Sequence, residues 1–324
     1  MKKDTTKTLL YCPLLDGHIM QEIRNLAKEL FEDGITDFVK TYGRVELRGK
    51  TEFQKLICTL PVVPIQDSDI LHFSKVVADK EREQLLIDFW EKEKMQLTRP
   101  EIPDDMPLQK CYVIAAVMVL KAHWCEEYAA EKKDYPILPE ESATGEELSI
   151  KGYRLDNVEL AMNEEGKVVS ACIRLDDDIT IRLSDVTAFG DKDIEIPDVM
   201  TLYTLVQNHS LDYRVSGYLI APCIDEEVKV KDHLTGIGWN DPCGDGYGVE
   251  VTRSQALVQL KLNEEGVEAR AETVAEVCFT FGDCDDTPHY GLKIAHGLII
   301  DIRRGEESLI VGYVPQHRFI TTQK

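Results

Sequence analysis

No apolar run in the sequence reaches the length of about 20 residues that a membrane-spanning helix needs, so a helical span is excluded and no membrane partner is expected. The opening stretch, M-K-K-D-T-T-K-T-L-L-Y-C-P-L-L-D-G, carries basic residues but only a broken apolar segment, so no secretory signal is read there. A positive excess is also missing. The 37 basic residues face 59 acidic ones, for a formal net charge of −22, which argues against nucleic acid as a partner. C-x-x-C pairs are absent. The nine cysteines are an odd number scattered from Cys12 to Cys284, a distribution that favours free thiols over a disulfide framework, with a cytoplasmic location as the resulting expectation. No period of 20–50 residues marks a repeat array. His18, His72, His123, His209, His233, His296 and His317 do not pair at metal-ligand spacing, and Asp176-Asp177-Asp178 reads as a solvated turn, so neither a metal nor a cofactor is expected.

What is present is enough apolar material, 43% of 324 residues, to bury a sizeable core. Ile19, Ile23, Leu26 and Leu30 keep a helical spacing that predicts an amphipathic helix over 18–40, with Gly34 as its stop. Residues 45–73 give no assignment. Leu85, Leu86, Phe89 and Trp90 among charges predict a surface helix over 78–97. Tyr112 to Leu120 is apolar on both faces and reads as a buried central strand. Residues 134–149, acidic and bearing Pro and Gly, read as a loop. An antiparallel meander is predicted over 152–190, with turns at Asn163-Glu164-Glu165-Gly166 and at the aspartate triple. A short helix over 198–209, a strand at 218–220 and a hairpin over 296–314 turning at Gly305 complete the reading.

The most informative stretch is L-V-Q-L-K-L-N-E-E-G-V-E-A-R-A-E-T-V-A-E-V, residues 257–277. Leu260 and Leu262 alternate with Gln259 and Lys261, the period of a strand with one buried face. Asn263-Glu264-Glu265-Gly266 reads as a turn. Alternation then resumes, with Val267, Ala269, Ala271, Thr273 and Ala275 on one face and Glu268, Arg270, Glu272 and Glu276 on the other. On pattern alone this is a hairpin arm whose inward face is almost all small.

N-E-E-G-V-E-A-R-A-E-T-V resembles the proximal hinge of the serpins, protease inhibitors whose exposed reactive loop inserts into their main sheet after cleavage. Other landmarks follow in the family's order. I-D-F-W-E-K-E resembles a serpin helix pattern, with Asp88 where Asn is usual. Lys121-Ala122-His123-Trp124 fills the place of Lys-Gly-x-Trp at the end of the central strand, with Tyr128 where the family has Phe. V-K-V-K-D-H-L-T-G-I-G (228–238), V-E-V-T-R-S-Q-A (249–256) and H-G-L-I-I-D-I-R-R-G-E-E-S-L-I-V-G-Y-V (296–314) resemble the segments around the last sheet strands. The similarity covers roughly 80–315 and weakens over 1–77.

The resemblance implies one α+β, serpin-like domain over 1–324. It would have a large central mixed sheet, additional antiparallel sheets, helices mainly from the N-terminal half and an exposed reactive loop at about 264–295. Glu264, Glu265, Gly266, Val267, Ala269, Ala271 and Thr273 would form the hinge, and Ala116, Trp124 and Ala256 would mark where the sheet opens. At Ala116 and Ala256 the family's inhibitors carry a hydrogen-bonded Asn and His, so here the opening would be held by apolar packing. Family loop spacing puts the scissile bond near Thr280–Phe281, with Cys278 and Phe279 as further candidates. The implied function is loop cleavage, insertion from Val267 onward and covalent trapping of a serine or cysteine protease, chymotrypsin- or subtilisin-like given the flanking phenylalanines, by a monomer with no catalytic residues of its own. The rival with the same fold is a non-inhibitory binding or storage protein. An enzymatic rival would use Cys284, Asp283, Asp285, Asp286 and His289, and a softer variant makes Cys278 or Cys284 redox-sensitive.

Overall fold

The computed structural model describes residues 7–33, 40–48, 51–61, 112–124, 128, 130–137, 148–163, 165–175, 178–190, 196–209, 211–231, 233–240, 248–251, 254–269 and 290–322. Strand β1 (Leu9–Tyr11) leads directly into helix α1 (Pro13–Asp33), which starts earlier than its apolar spacing predicts. Proline suits a first helical turn, where an N–H would lack a partner anyway. Gly34 and the predicted helix over 78–97 lie outside the described residues.

Strands β2 (Lys40–Arg48) and β3 (Thr51–Pro61) form a hairpin in the region without a sequence assignment. Strand β4 (Tyr112–His123) follows, as predicted. Strand β5 (Glu131–Ile137) pairs antiparallel with β6 (Leu148–Met162), so the loop expected from Asp134 onward is strand as far as Ile137. Its burial explains the misreading. Only Tyr135 and Ile137 are buried, and the charged residues before them stand at a sheet margin, where charge and Pro136 are compatible with pairing.

The meander is realised as β6, β7 (Val168–Arg174) and β8 (Ile179–Asp185). Helix α2 (Val199–Asn208) is capped by the Asp198 side chain, which accepts from Thr201 N–H at 2.8 Å. Then come β9 (Tyr213–Pro222), β10 (Ile224–Lys231), a small ribbon of β11 (Gly238–Asn240) and β12 (Gly248–Glu250), β13 (Gln255–Leu262) and β14 (Gly266–Ala269). Strand β15 (Tyr290–Lys293) pairs parallel with β9, and the predicted C-terminal hairpin is β16 (Gly297–Arg304) and β17 (Glu307–Pro315), turning at Gly305 with φ +57°. A short β18 (Ile320–Thr322) returns to β6.

These strands make two large sheets. One runs β1-β17-β16-β8-β7-β6-β9-β15, with β5 and β18 also on β6; the other runs β10-β13-β14-β4-β3-β2. The main core lies between them and joins Leu298, Ile300 and Val314 of the first sheet to Leu120, Leu260, Leu262 and Val267 of the second. Ile299 and Val311 point the other way, against Leu202 and Val206 of α2. That double coverage explains why β16 and β17 read as continuous apolar runs.

Candidate functional site: a slot between two strands

The hinge sits inside the six-stranded sheet. Beyond Leu262 the chain turns through Asn263, whose side-chain oxygen accepts from Glu265 N–H at 2.9 Å and Gly266 N–H at 3.2 Å. Strand β14 then runs antiparallel to both neighbours. Val267 faces Leu262 on β13 and Ala122 on β4, and Glu268 faces Lys261 and Lys121. Val267 is fully buried, and its burial contributes about 1.5–3 kcal/mol.

Gly266 is required here. Its φ is +154°, and a Cβ built on it would collide with the Ala122 carbonyl. Trp124 holds the turn from the β4 side, donating Nε1–H to the Asn263 carbonyl at 2.8 Å and its backbone N–H to the Glu265 carbonyl at 3.3 Å. Its ring stacks on Tyr153 at 5.9 Å between centroids. Glu264 accepts from Lys132 Nζ at 2.6 Å and lies 4.0 Å from the Cys223 thiol. Partial burial pushes the Glu264 carboxyl up, but the Lys132 hydrogen bond, a backbone hydrogen bond and the charges of Lys132 and Lys261 together outweigh it, and the group sits below its ordinary value.

Among the described residues, β13 and β4 pair with β14 and not with each other. They flank β14 as far as Ala269, and we call the strip between these two strands the slot. Ala116 pairs with Ile57 on the outer side of one wall, and Ala256 with Val230 on the outer side of the other. Continuing the β14 register without slip brings positions 116 and 256 level, both facing position 273.

Two expectations change. The resemblance implied a hinge outside the sheet, whereas residues 266–269 are already paired within it. A loop reaching 295 is too long: 290–293 form β15, and Ile294 and Ala295 are buried. Ala271, Thr273, the scissile candidates Cys278, Phe279, Thr280 and Phe281, and the cluster Asp283–His289 lie outside the described residues. Asp178, from the aspartate triple, is ion-paired with Arg304 at 3.0 Å. Cys12, Cys172 and Cys223 are free thiols, and burial pushes the Cys12 thiol up to about 12. Several polar residues near the slot escaped the sequence reading, among them Asp16, Lys55 and Ser254, because nothing local ties them to it.

No protein-family model and no curated protein matches the sequence. Solved structures do match its fold. A loop-inserted structure of a cleaved ovalbumin mutant shares 10% identity over 95% of this chain and 93% of its own, with a TM-score of 0.55. Uncleaved ovalbumin gives 12% identity over 95% and 93%, with a TM-score of 0.54. Serpin48 from the insect Tenebrio molitor gives 13% over 95% and 91%, at 0.50. The chain carries the serpin fold, in the α+β arrangement expected.

Proposed function

We propose that the chain inhibits a protease by offering the segment after β14 as substrate and, once cut, drawing it into the slot as a further central strand. The observation that carries this reading is the seated hinge. β14 is antiparallel to both walls as far as Ala269, and the same register continued without slip would set position 274 opposite Gln255 on β13 and position 277 opposite Tyr112 on β4. The candidate bond Thr280–Phe281 follows just beyond, so a cut there leaves a segment long enough to fill the slot. Ala271, Thr273 and Ala275 share the inward parity of the buried Val267, and their small side chains fit between packed strands. Insertion exchanges solvated backbone for two ladders, and the metastable starting state is kept by a kinetic barrier. The loop-inserted ovalbumin structure supplies a precedent for the end state on this fold.

Phe279 and Phe281 favour a chymotrypsin- or subtilisin-like serine protease. A second reading, a binding or storage protein on the same fold, is favoured by the alanines at 116 and 256, which give the slot no polar clasp between its walls. Incubation with chymotrypsin, subtilisin and elastase separates the two. An SDS-stable complex, with a large rise in melting temperature of the cleaved product, is the expected result. Clean cleavage within 270–289 with neither complex nor added stability would sink inhibition.

A further inference from the structure

Beyond β17 the chain passes through a short 3-10 turn, Gln316–Arg318, and runs back as β18. Gln316 Nε2 donates to the Ala295 carbonyl at 2.7 Å, on the joint between β15 and β16. The Arg318 guanidinium donates to both oxygens of the Glu226 carboxylate on β10, from Nε at 2.9 Å and from Nη2 at 3.0 Å. Phe319 is buried in the main core, and Ile320–Thr322 pair antiparallel with residues 148–150 of β6.

The place that β18 takes is set by where β9 stops. β9 pairs with β6 as far as Pro222 opposite Gly152, and the next residue, Cys223, is the single link to β10 in the other sheet. From Ile150 back to Leu148, β5 holds one edge of β6 and β18 holds the other. The segment therefore fills the corner where the chain crosses between sheets, and from there Arg318 reaches β10. Glu226 pairs in register with Leu260 of β13, next to Lys261, which faces Glu268 of the hinge strand. One turn thus bonds to β10 beside the hinge and to the joint behind β15. Arg318 is half exposed, so its removal opens no cavity, whereas Glu226, with a side chain 9% exposed, would lose its fork of donors while staying buried.

We propose that residues 316–322 are a strap that couples the six-stranded sheet at the hinge to the joint behind β15, so that loosening one loosens the other. This deepens the inhibitory reading, on which it rests for its biological use: the strands on either side of the segment offered to a protease would be held from one point. Its test needs no protease. Amide hydrogen exchange on the intact full-length chain would compare wild type with Arg318→Met and Gln316→Met. Arg318→Met should speed exchange of amides 225–230 and 257–262 about three- to tenfold, and that of 294–296 with them. Gln316→Met should act from the other end, on 294–296 and through them on β10, because coupling between two sites is reciprocal. β7 in one sheet and β3 in the other should keep wild-type protection in both variants. A change confined to each variant's own end would overturn the strap. So would unchanged β10 amides in Arg318→Met, or equal acceleration reaching β7 and β3. Cleaved wild type that gains no thermal stability would instead end the inhibitory reading and leave the strap standing.

Discussion

Asn-Glu-Glu-Gly occurs twice in the chain, and its two glycines are held to different standards. At 163–166 it makes an open hairpin tip, where Gly166 has φ +78° and a Cβ would meet nothing within 4 Å. At 263–266 the glycine is wedged against the Ala122 carbonyl. Gly166→Ala should therefore cost about 1 kcal/mol, the left-handed backbone alone, and Gly266→Ala about 2–4 kcal/mol once the steric conflict is added, read by urea unfolding of the intact protein. Equal costs would mean the hinge withdraws from the sheet freely. Trp124→Phe keeps the ring on Tyr153 but removes the donor to the Asn263 carbonyl, with an expected loss of about 1–2 kcal/mol in the same measurement. Asp185 sets a pH response. Its carboxylate accepts from Ala295 N–H at 2.9 Å and His296 N–H at 3.0 Å. Burial pushes its carboxyl up, but hydrogen bonds from His296 and Thr187 together with the His296 charge outweigh this and leave it below the ordinary value. A depressed folded-state value contributes stability that is full above the unfolded value, about 3.9, and is lost as pH falls through the lower folded one. Asp185→Asn should flatten the acid limb of a melting-temperature profile below about pH 4 relative to wild type.

At the scale of elements, the alternation of 257–277 is the feature with the most consequence. Val267 is buried, and the same alternation continued along the sequence would put Thr273 inward and Arg270 outward. On that parity Thr273→Arg would bring a guanidinium between Ala116 and Ala256 and should stop insertion part-way. The cleaved variant would then melt close to the intact protein, while cleaved Arg270→Ala rises as far as cleaved wild type. An equal rise in both would place the register elsewhere. The same parity shows what was legible. β4, the β6–β8 meander, α2 and the β16–β17 hairpin declare themselves by local pattern, as does the hinge. The start of α1 does not, because Asp16 and His18 interrupt its apolar spacing, and those residues reach out to His233 and Lys55. β5 hides behind its charged margin, and β15 is four residues whose pairing partner β9 is distant in sequence. Contacts such as Asp16 to His233 leave no trace in spacing, since chain folding alone brings them together.

For the whole molecule, the dominant long-range quantity is the net charge of −22. Among the described ion pairs, Lys132–Glu264 has side chains 47% and 27% exposed and Arg174–Glu159 has 67% and 47%. Each such pair is worth at most about 1 kcal/mol and weakens with salt. Self-repulsion of an acidic surface acts in the opposite direction and is relieved by the same salt, because the screening length shrinks from about 30 Å at 0.01 M to about 8 Å at 0.15 M. With so large an excess of one sign, repulsion should win. The melting temperature of the intact protein is expected to rise as sodium chloride goes from 0.01 to 0.15 M, measured calorimetrically at neutral pH. A fall would mean that the pairs at the hinge and along β10 outweigh the excess charge. The excess also bears on encounter. A positively charged protease approaches this surface faster than a neutral one, and its association rate should drop over the same salt range. An acidic protease of equal loop preference should show the reverse trend. Rates with one basic and one acidic subtilisin-like enzyme would separate steering by charge from recognition of the phenylalanines, because only steering changes sign with the enzyme.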